Sequence, residues 1–173
     1  LMEVANVLRE QMGLLDQPEL ETSALLIYRD DPESWDSWYA FRPTNDPEGK
    51  IKSGIASFTK NSCELTREIA GMYLSSATDY TLHVSGAKRD EWLEVLMKTA
   101  PEIAQNAINT ETVVFDTTYF HFSDFNGGSL LTVSYLPPSA EIKSLQRRAA
   151  SVFDLAYRRF HDLKKAEAQA REA

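Results

Sequence analysis

The sequence predicts an α+β domain in which a mostly antiparallel sheet is flanked by helices. Two observations lead to this prediction: two strand–turn–strand patterns along the chain, and amphipathic helical patterns at both of its ends. Because hairpins join neighbouring strands in antiparallel fashion, these patterns supply four of the expected five or six strands. The 173 residues suit a single domain, and a chain of this size buries roughly 70 % of its unfolded surface.

The first part of the chain predicts a helix followed by a hairpin. Apolar residues spaced three or four apart in residues 1–15 form one helical face, and Pro18 ends that helix. The aliphatic segment 22–29 and the aromatic segment 35–42 are typical of two strands. The sequence Asp-Asp-Pro-Glu-Ser at 30–34 supplies the turn between them.

The middle of the chain predicts short elements of both kinds. A surface loop at 43–50 precedes a weak strand at 51–58. Asn61 and Glu64 form a capping-box pattern, which opens a helix that buries Leu65, Ile69, Met72 and Ser76 on one face.

A strand and two helices follow. Tyr80, Leu82 and Val84 alternate with polar residues, so we expect a half-buried strand. Helices are predicted at 89–99 and at 101–108, the second with proline in its first turn.

The last part of the chain predicts a second hairpin and a long helix. Strands at 112–122 and 129–135 flank the turn sequence Asn-Gly-Gly at 126–128. Ser139 is positioned to cap a helix that continues to the end of the chain. We assign residues 1–163 to the domain and 164–173 to the start of an exit helix that forms a coiled coil with a second copy.

Composition excludes several classes of partner. The chain has 26 acidic and 18 basic residues and a net charge of −8. Such a charge repels phosphate backbones and anionic lipids, so neither nucleic acid nor membrane insertion is predicted. The single cysteine, Cys63, cannot form an internal disulfide, which favours a reducing cytoplasm.

No catalytic or metal-binding motif is found. Gly49-Lys50 lacks the rest of a phosphate loop, and the glycines at 127 and 128 lack the spacing of a nucleophile elbow. The three histidines fall in separate predicted elements, without the close ligand pairs of a zinc site. We therefore predict no catalysis, no metal and no cofactor, but allow for an unidentified small-molecule ligand.

Aromatic residues on predicted strands are candidates to line a ligand pocket. We select Trp38, Tyr80, His83 and His121, which have polar neighbours capable of orienting a ligand. The alternative is structural: the aromatic residues fill the core, and His121 is a buried histidine hydrogen-bonded to its surroundings.

The last helix carries two apolar stripes, of which one sheet can cover only one. The candidate dimer interface combines the first stripe with one residue of the opening helix: Leu8, Leu145, Ala149, Val152, Ala156 and Leu163. Phe153, Tyr157 and Phe160 form the second stripe. We expect the uncovered stripe to pack against the same stripe of a second copy in a two-fold homodimer, with the terminal helices packed together.

Segments 1–15, 24–42 and 125–165 carry a family resemblance, and the ending 152–173 is its most specific part. The sequence resembles a GAF-like sensor domain of multi-domain bacterial signalling proteins of the Bacteroidetes type. The resemblance implies a central antiparallel sheet, with the first and last helices on one face and a ligand-sized pocket under helices on the other. It also implies further domains and an output such as a histidine kinase or an adenylate or guanylate cyclase.

Two sequence features limit what the resemblance implies. Cys63 is followed by Glu64, not by the histidine that accompanies bilin attachment, and the Asn-Lys-Phe-Asp-Glu motif of cyclic-nucleotide-binding members is absent. The sequence therefore predicts a non-catalytic sensory or regulatory module that dimerises and relays a signal through its terminal helices. A small enzyme with an aromatic pocket and a ligand-free dimerisation spacer remain as alternatives.

Overall fold

The fold is described by a computed structural model that covers residues 3, 6, 20–29, 33–43, 50–75, 77–110 and 117–173. The strands are β1 (Leu20–Tyr28), β2 (Ser34–Phe41), β3 (Lys52–Thr59), β4 (Asp79–Ser85), β5 (Thr117–Phe125) and β6 (Gly128–Ser134). The helices are α1 (Glu64–Leu74), α2 (Gly86–Thr99), α3 (Pro101–Thr110) and α4 (Ala140–Glu172). The predicted α+β class is confirmed.

The six strands form one antiparallel sheet in the order β3-β2-β1-β6-β5-β4. Both predicted hairpins are present, and the weak strand predicted at 51–58 forms the edge strand β3. The centre of the sheet is the pairing of β1 with β6, which brings together segments about a hundred residues apart, such as Leu25 and Leu130. No local pattern in the sequence predicts this pairing.

The sheet buries both of its faces. On one face, here called the cavity face, strand residues pack with α1, α2 and α3 into the main core, which includes Leu26, Trp35, Ile69, Leu96 and Phe122. On the opposite face, here called the α4 face, the core is smaller and includes Leu25, Phe125, Leu130, Ile142 and Ala150. Because successive strand residues point to opposite faces, β1, β2, β5 and β6 contribute to both cores, whereas β3 and β4 contribute only to the core on the cavity face.

Two turn and capping predictions need correction. The residue that caps α1 is Cys63, which shares a capping box with Thr66, whereas Asn61 lies in a preceding 3-10 turn. The β5–β6 turn consists of Asn126 and Gly127 alone, because Gly128 already belongs to β6. Gly127 takes a φ of 100°, which a residue with a side chain rarely adopts.

The predicted helix at 1–15 lies outside the described residues, except that Glu3 and Asn6 are helical. The packing of the two terminal helices, and the predicted strand start at 112–116, also fall outside them. At the other end of the chain the capping prediction is confirmed, since Ser139 Oγ accepts a 3.3 Å hydrogen bond from the Ile142 amide. Helix α4 has 33 residues, which corresponds to a length of roughly 50 Å.

Candidate functional site

A cavity of about 70 Å³ lies between the cavity face of the sheet and helices α2 and α3. Strand residues form its floor: Thr22, Ala24, Leu26, Trp35, Ser37, Tyr39, Phe58, Val84, Thr118, Phe120, Leu131 and Val133. Helical residues form its other walls: Ile69, Arg89, Trp92, Leu93, Leu96, Ile103 and Ala107. Most of this lining is aliphatic or aromatic, as is usual for sites that bind small molecules.

The helical walls follow from local spacing. Arg89, Trp92 and Leu96 are spaced three and four residues apart in α2, so their side chains lie on one face. Ile103 and Ala107 share a face of α3 for the same reason. The indole of Trp92 packs against two strands across the cavity: its ring centroid lies 5.3 Å from that of Phe58 on β3 and 6.0 Å from that of Phe120 on β5.

Two polar side chains stand out in this mainly apolar lining, which also contains Ser37, Tyr39 and Thr118. The hydroxyl of Thr22, a residue only 5 % exposed, has no hydrogen-bond partner among the described residues. The half-buried Arg89 is the charged residue among the described residues that line the cavity. Among the described residues that lining contains no histidine, cysteine or carboxylate, and Tyr39 is its one side chain of the kinds that usually act as general acids or bases.

None of the four predicted pocket residues lines this cavity. Trp38 and His121 lie on the α4 face, where Trp38 is half-buried and His121 is buried, and His83 is exposed beside Tyr119. Tyr80 lies on the cavity face but stacks on Phe122, with 5.0 Å between ring centroids.

The cause of the error is the two-residue period of a strand. The sequence neighbours of three predicted residues, namely Tyr39, Val84 and Phe120, do line the cavity. A shift of one residue moves a side chain to the other face of the sheet. Because aromatic residues occur on both faces, the sequence does not show which face covers the cavity. Thr22 and Arg89 were missed because an isolated hydroxyl or cation has no periodic pattern.

Helix α4 changes its environment along its length. Leu145 and Ala149, predicted for the dimer interface, instead pack on the α4 face of the sheet, together with Phe153 and Tyr157 of the second stripe. Val152, Ala156 and Leu163 are exposed, whereas Leu8 lies outside the described residues. The covered surface therefore combines parts of both predicted stripes.

A buried glutamine joins α4 to the sheet through hydrogen bonds. Gln146 is fully buried, and its amide nitrogen donates hydrogen bonds to the carbonyls of His121, at 2.8 Å, and Leu130, at 3.0 Å. Its amide oxygen accepts a 2.9 Å bond from the Thr132 hydroxyl. These three hydrogen bonds therefore join α4 to β5 and β6, the two strands that also form part of the cavity floor.

An arginine and an aspartate hold α4 to the end of the sheet. Arg147 donates to the carbonyl of Asp124 at 2.7 Å and to the carbonyl of Thr78 at 3.1 Å. Asp154 accepts a 2.8 Å hydrogen bond from the Asn126 amide in the β5–β6 turn. These contacts and those of Gln146 fall in the first half of α4.

Two ionisable groups, the half-buried Asp124 and the buried His121, lie near this junction. Burial raises the pKa of Asp124 from 3.8 to about 6, although its carboxylate accepts hydrogen bonds from Ser129 and Tyr80. Burial, with the nearby charge of Lys143, lowers the pKa of His121 from 6.5 to about 4. Near pH 7, therefore, Asp124 is mostly ionised and His121 is neutral.

The described residues contain no cluster of three or more histidine, cysteine or acidic side chains placed to hold a metal ion. None of the described helices is long and apolar enough to cross a bilayer. Comparison with known proteins found no matching family model, no matching curated protein and no matching solved structure.

Proposed function

We propose that this chain is a non-catalytic sensory or regulatory module, similar in role to the GAF-like domains of bacterial signalling proteins. In this proposal, a small molecule binds in the cavity, and α4 carries the signal to a second copy of the chain and to further domains. The observation that supports it is the arrangement of cavity and helix on opposite faces of the same two strands.

The two faces are connected through adjacent residues. Phe120 lines the cavity, and the carbonyl of the next residue, His121, binds Gln146. On β6, Leu131 lines the cavity between Leu130 and Thr132, which both bind Gln146. A ligand that displaces these strands therefore moves the groups that hydrogen-bond α4. It shifts the helix if its affinity differs between two positions of the strands.

The exposed side of α4 supports the proposed dimer. Val152, Leu155 and Leu163 are 69 %, 70 % and 61 % exposed. Val152, Ala156 and Leu163 are spaced by four and seven residues, so they lie along one side of the helix. Packing this side against the same side of a second copy removes apolar surface from water, and two-fold pairs are the commonest closed assemblies.

The alternative functions are a small enzyme and a ligand-free spacer. The mainly apolar lining supports binding more than catalysis, and the cavity supports a sensor more than a spacer. We further propose that the parent protein is cytoplasmic and has a kinase or nucleotide-cyclase output, by analogy with the family resemblance alone.

The dimer is tested by light scattering coupled to size-exclusion chromatography at about 50 μM protein. We expect the unchanged chain to be a dimer, and the double variant Val152→Glu with Leu163→Glu to be a folded monomer. Lys165→Glu is the control, because residue 165 lies on the opposite side of α4 from residue 163. A monomeric unchanged chain, or a double variant that remains dimeric, would contradict the proposed mode of signalling.

A further inference from the structure

We propose that the cavity binds a small neutral molecule that carries one hydroxyl or carbonyl group on a compact aliphatic body. This inference rests on the proposed function, because it names the ligand class of the same cavity. Three observations lead to it: the volume of the cavity, the chemistry of its walls, and the buried hydroxyl of Thr22, which has no hydrogen-bond partner among the described residues.

The volume limits the ligand to a few atoms. The cavity measures about 70 Å³, which is several times the roughly 10–15 Å³ that one water molecule needs. It is about half of the roughly 150 Å³ of an apolar protein cavity that holds benzene. A ligand of about three or four non-hydrogen atoms is therefore of suitable size. A substituted aromatic ring, a sugar or a nucleotide is too large.

The hydroxyl of Thr22 supplies the polar contact. Thr22 lies on β1, is only 5 % exposed and lines the cavity. A hydroxyl that is buried without a partner has lost its hydrogen bonds to water and gained none in the fold, which costs stability. Because a threonine hydroxyl can both donate and accept, a ligand with one hydroxyl or carbonyl group restores a hydrogen bond there.

The other hydroxyls of the lining are spread over the sheet. Thr118 lies on β5, and strand β6 separates it from Thr22 on β1. Ser37 is four residues along β2 from the position opposite Thr22, which is roughly 13 Å. The Tyr39 hydroxyl lies over Gly54 of β3, where a Cβ atom would clash with it. A ligand of the size allowed by the cavity, placed at Thr22, therefore needs only one polar group.

The walls near Thr22 favour an aliphatic body. Next to Thr22 on the sheet are Ala24, two residues along β1, and Val133, its partner on β6. Helix α3 adds Ile103 and Ala107 to the lining. A ligand that buries methyl or methylene groups against these side chains removes apolar surface from water, which favours binding.

The same walls disfavour charged and purely apolar ligands. A charged group loses its hydration in such surroundings, which is costly unless a buried partner of opposite charge compensates. Arg89, the charged residue among the described residues of the lining, already has an interaction within the protein, so we do not assign it to the ligand. A hydrocarbon leaves the hydroxyl of Thr22 without a partner.

The test titrates the protein at pH 8 with 2-propanol, acetate and 2-aminopropane, which have equal numbers of non-hydrogen atoms, and with xenon as an apolar probe. Binding is followed by NMR through the indole N–H signals of Trp35 and Trp92, which line the cavity, with Trp38, which does not, as the reference. We expect 2-propanol to bind in the millimolar range, because so small a ligand makes few contacts. It should bind at least fivefold more tightly than either charged compound.

The role of the hydroxyl is tested by Thr22→Val, which keeps the side-chain shape. It should weaken 2-propanol at least fivefold and leave the affinity for xenon unchanged or higher. Ser23→Ala is the matched control, because Ser23 is also buried and its hydroxyl also lacks a partner among the described residues, but it does not line the cavity. It should change the affinity for 2-propanol less than twofold. Ala107→Leu, which fills the cavity from α3, should abolish binding of both probes.

Three results would overturn this ligand class while leaving a ligand-binding module intact. These are equal losses of 2-propanol affinity in the Thr22 and Ser23 variants, tighter binding of acetate or 2-aminopropane than of 2-propanol, and binding of xenon alone. If no probe shifts the signals of Trp35 and Trp92, this inference fails, and the light-scattering test of the dimer decides separately on signalling through α4.

Discussion

The amide nitrogen of Gln146 donates a 2.8 Å hydrogen bond to the carbonyl of His121, beneath α4 and out of contact with solvent. Residue 121 follows Phe120, whose ring lines the cavity on the other face of β5. The distance from the cavity to α4 is therefore the thickness of one strand. Because this hydrogen bond joins α4 to the backbone of β5, a displacement of β5 is passed to α4 more directly than through apolar side-chain contacts alone.

The first prediction concerns the stability supplied by this attachment. Gln146→Leu keeps a similar size but removes three hydrogen bonds, leaving buried polar groups on β5 and β6 without this partner. We expect a loss of about 2–4 kcal/mol in the free energy of unfolding. Urea denaturation measures it, with Gln169→Leu at an exposed position of α4 as the control. Equal effects of the two substitutions would show that the buried network adds no stability.

The second prediction concerns Asp124 and pH. Its pKa is raised in the folded state, so the folded chain binds a proton more readily than the unfolded chain between about pH 4 and 6. Ionised Asp124 therefore destabilises the fold above pH 6, and this cost disappears as the pH falls towards 4. Asp124→Asn should raise the free energy of unfolding by about 1–3 kcal/mol at pH 8 and by much less at pH 4.

The comparison uses denaturation curves at several pH values, with Asp162→Asn as the control because residue 162 is exposed. If the gain in the free energy of unfolding from Asp124→Asn does not shrink as the pH falls, the ionisation of Asp124 does not destabilise the fold.

The third prediction is the opposite pH dependence at His121. Its pKa is lowered in the folded state, so the unfolded chain binds the proton more readily between about pH 6.5 and 4. Stability from this group is present above pH 6.5 and is lost as the pH falls through that interval. We therefore expect His121→Gln to lower the free energy of unfolding at pH 8 through poorer packing. At pH 4 the difference from the unchanged chain should be smaller, because the unchanged chain has then lost the contribution of neutral His121. A constant difference across the range would contradict this assignment.

The fourth prediction compares two glycines. A Cβ on Gly128 would lie 2.2 Å from the backbone oxygen of Leu26, where neither strand can move without breaking the β1–β6 pairing. Gly71 in α1 has open space around it and lies in a helix, where alanine is favoured. We expect Gly128→Ala to cost more than about 2 kcal/mol and Gly71→Ala to stabilise by about 0.5–1 kcal/mol. Thermal unfolding distinguishes the two, and a tolerated Gly128→Ala would contradict the close approach of β1 and β6.

Much of the local structure could be predicted because its causes are local. The alternation of Tyr80, Leu82 and Val84 requires a strand with one buried face, and the structure has that strand. Ser139 can cap a helix only from the residue before its first turn, and it does so. The turn and cap corrections are small, since in each case the element exists and only its boundary differs.

The candidate site could be predicted only in part. None of the four residues predicted to line a pocket lines the cavity; Trp38, for example, faces α4, while its neighbour Tyr39 faces the cavity. Gln146 offered a signal that was overlooked: a long polar side chain between Leu145 and Ala149, on the side of α4 that packs on the sheet. A polar residue in such a position requires buried partners, and their identity depends on strands that are distant in sequence.

The sequence by itself determined the α+β class, the two hairpins and the long capped final helix, because hydrophobic period, turn chemistry and capping act over a few residues. Only the tertiary structure decided the pairing of β1 with β6, the face that each strand residue occupies, and the division of α4 into a covered and an exposed part. These features depend on which distant segments pack together. The hydrophobic effect rewards the burial of apolar area without regard to direction, so a single segment does not determine which surface it packs against.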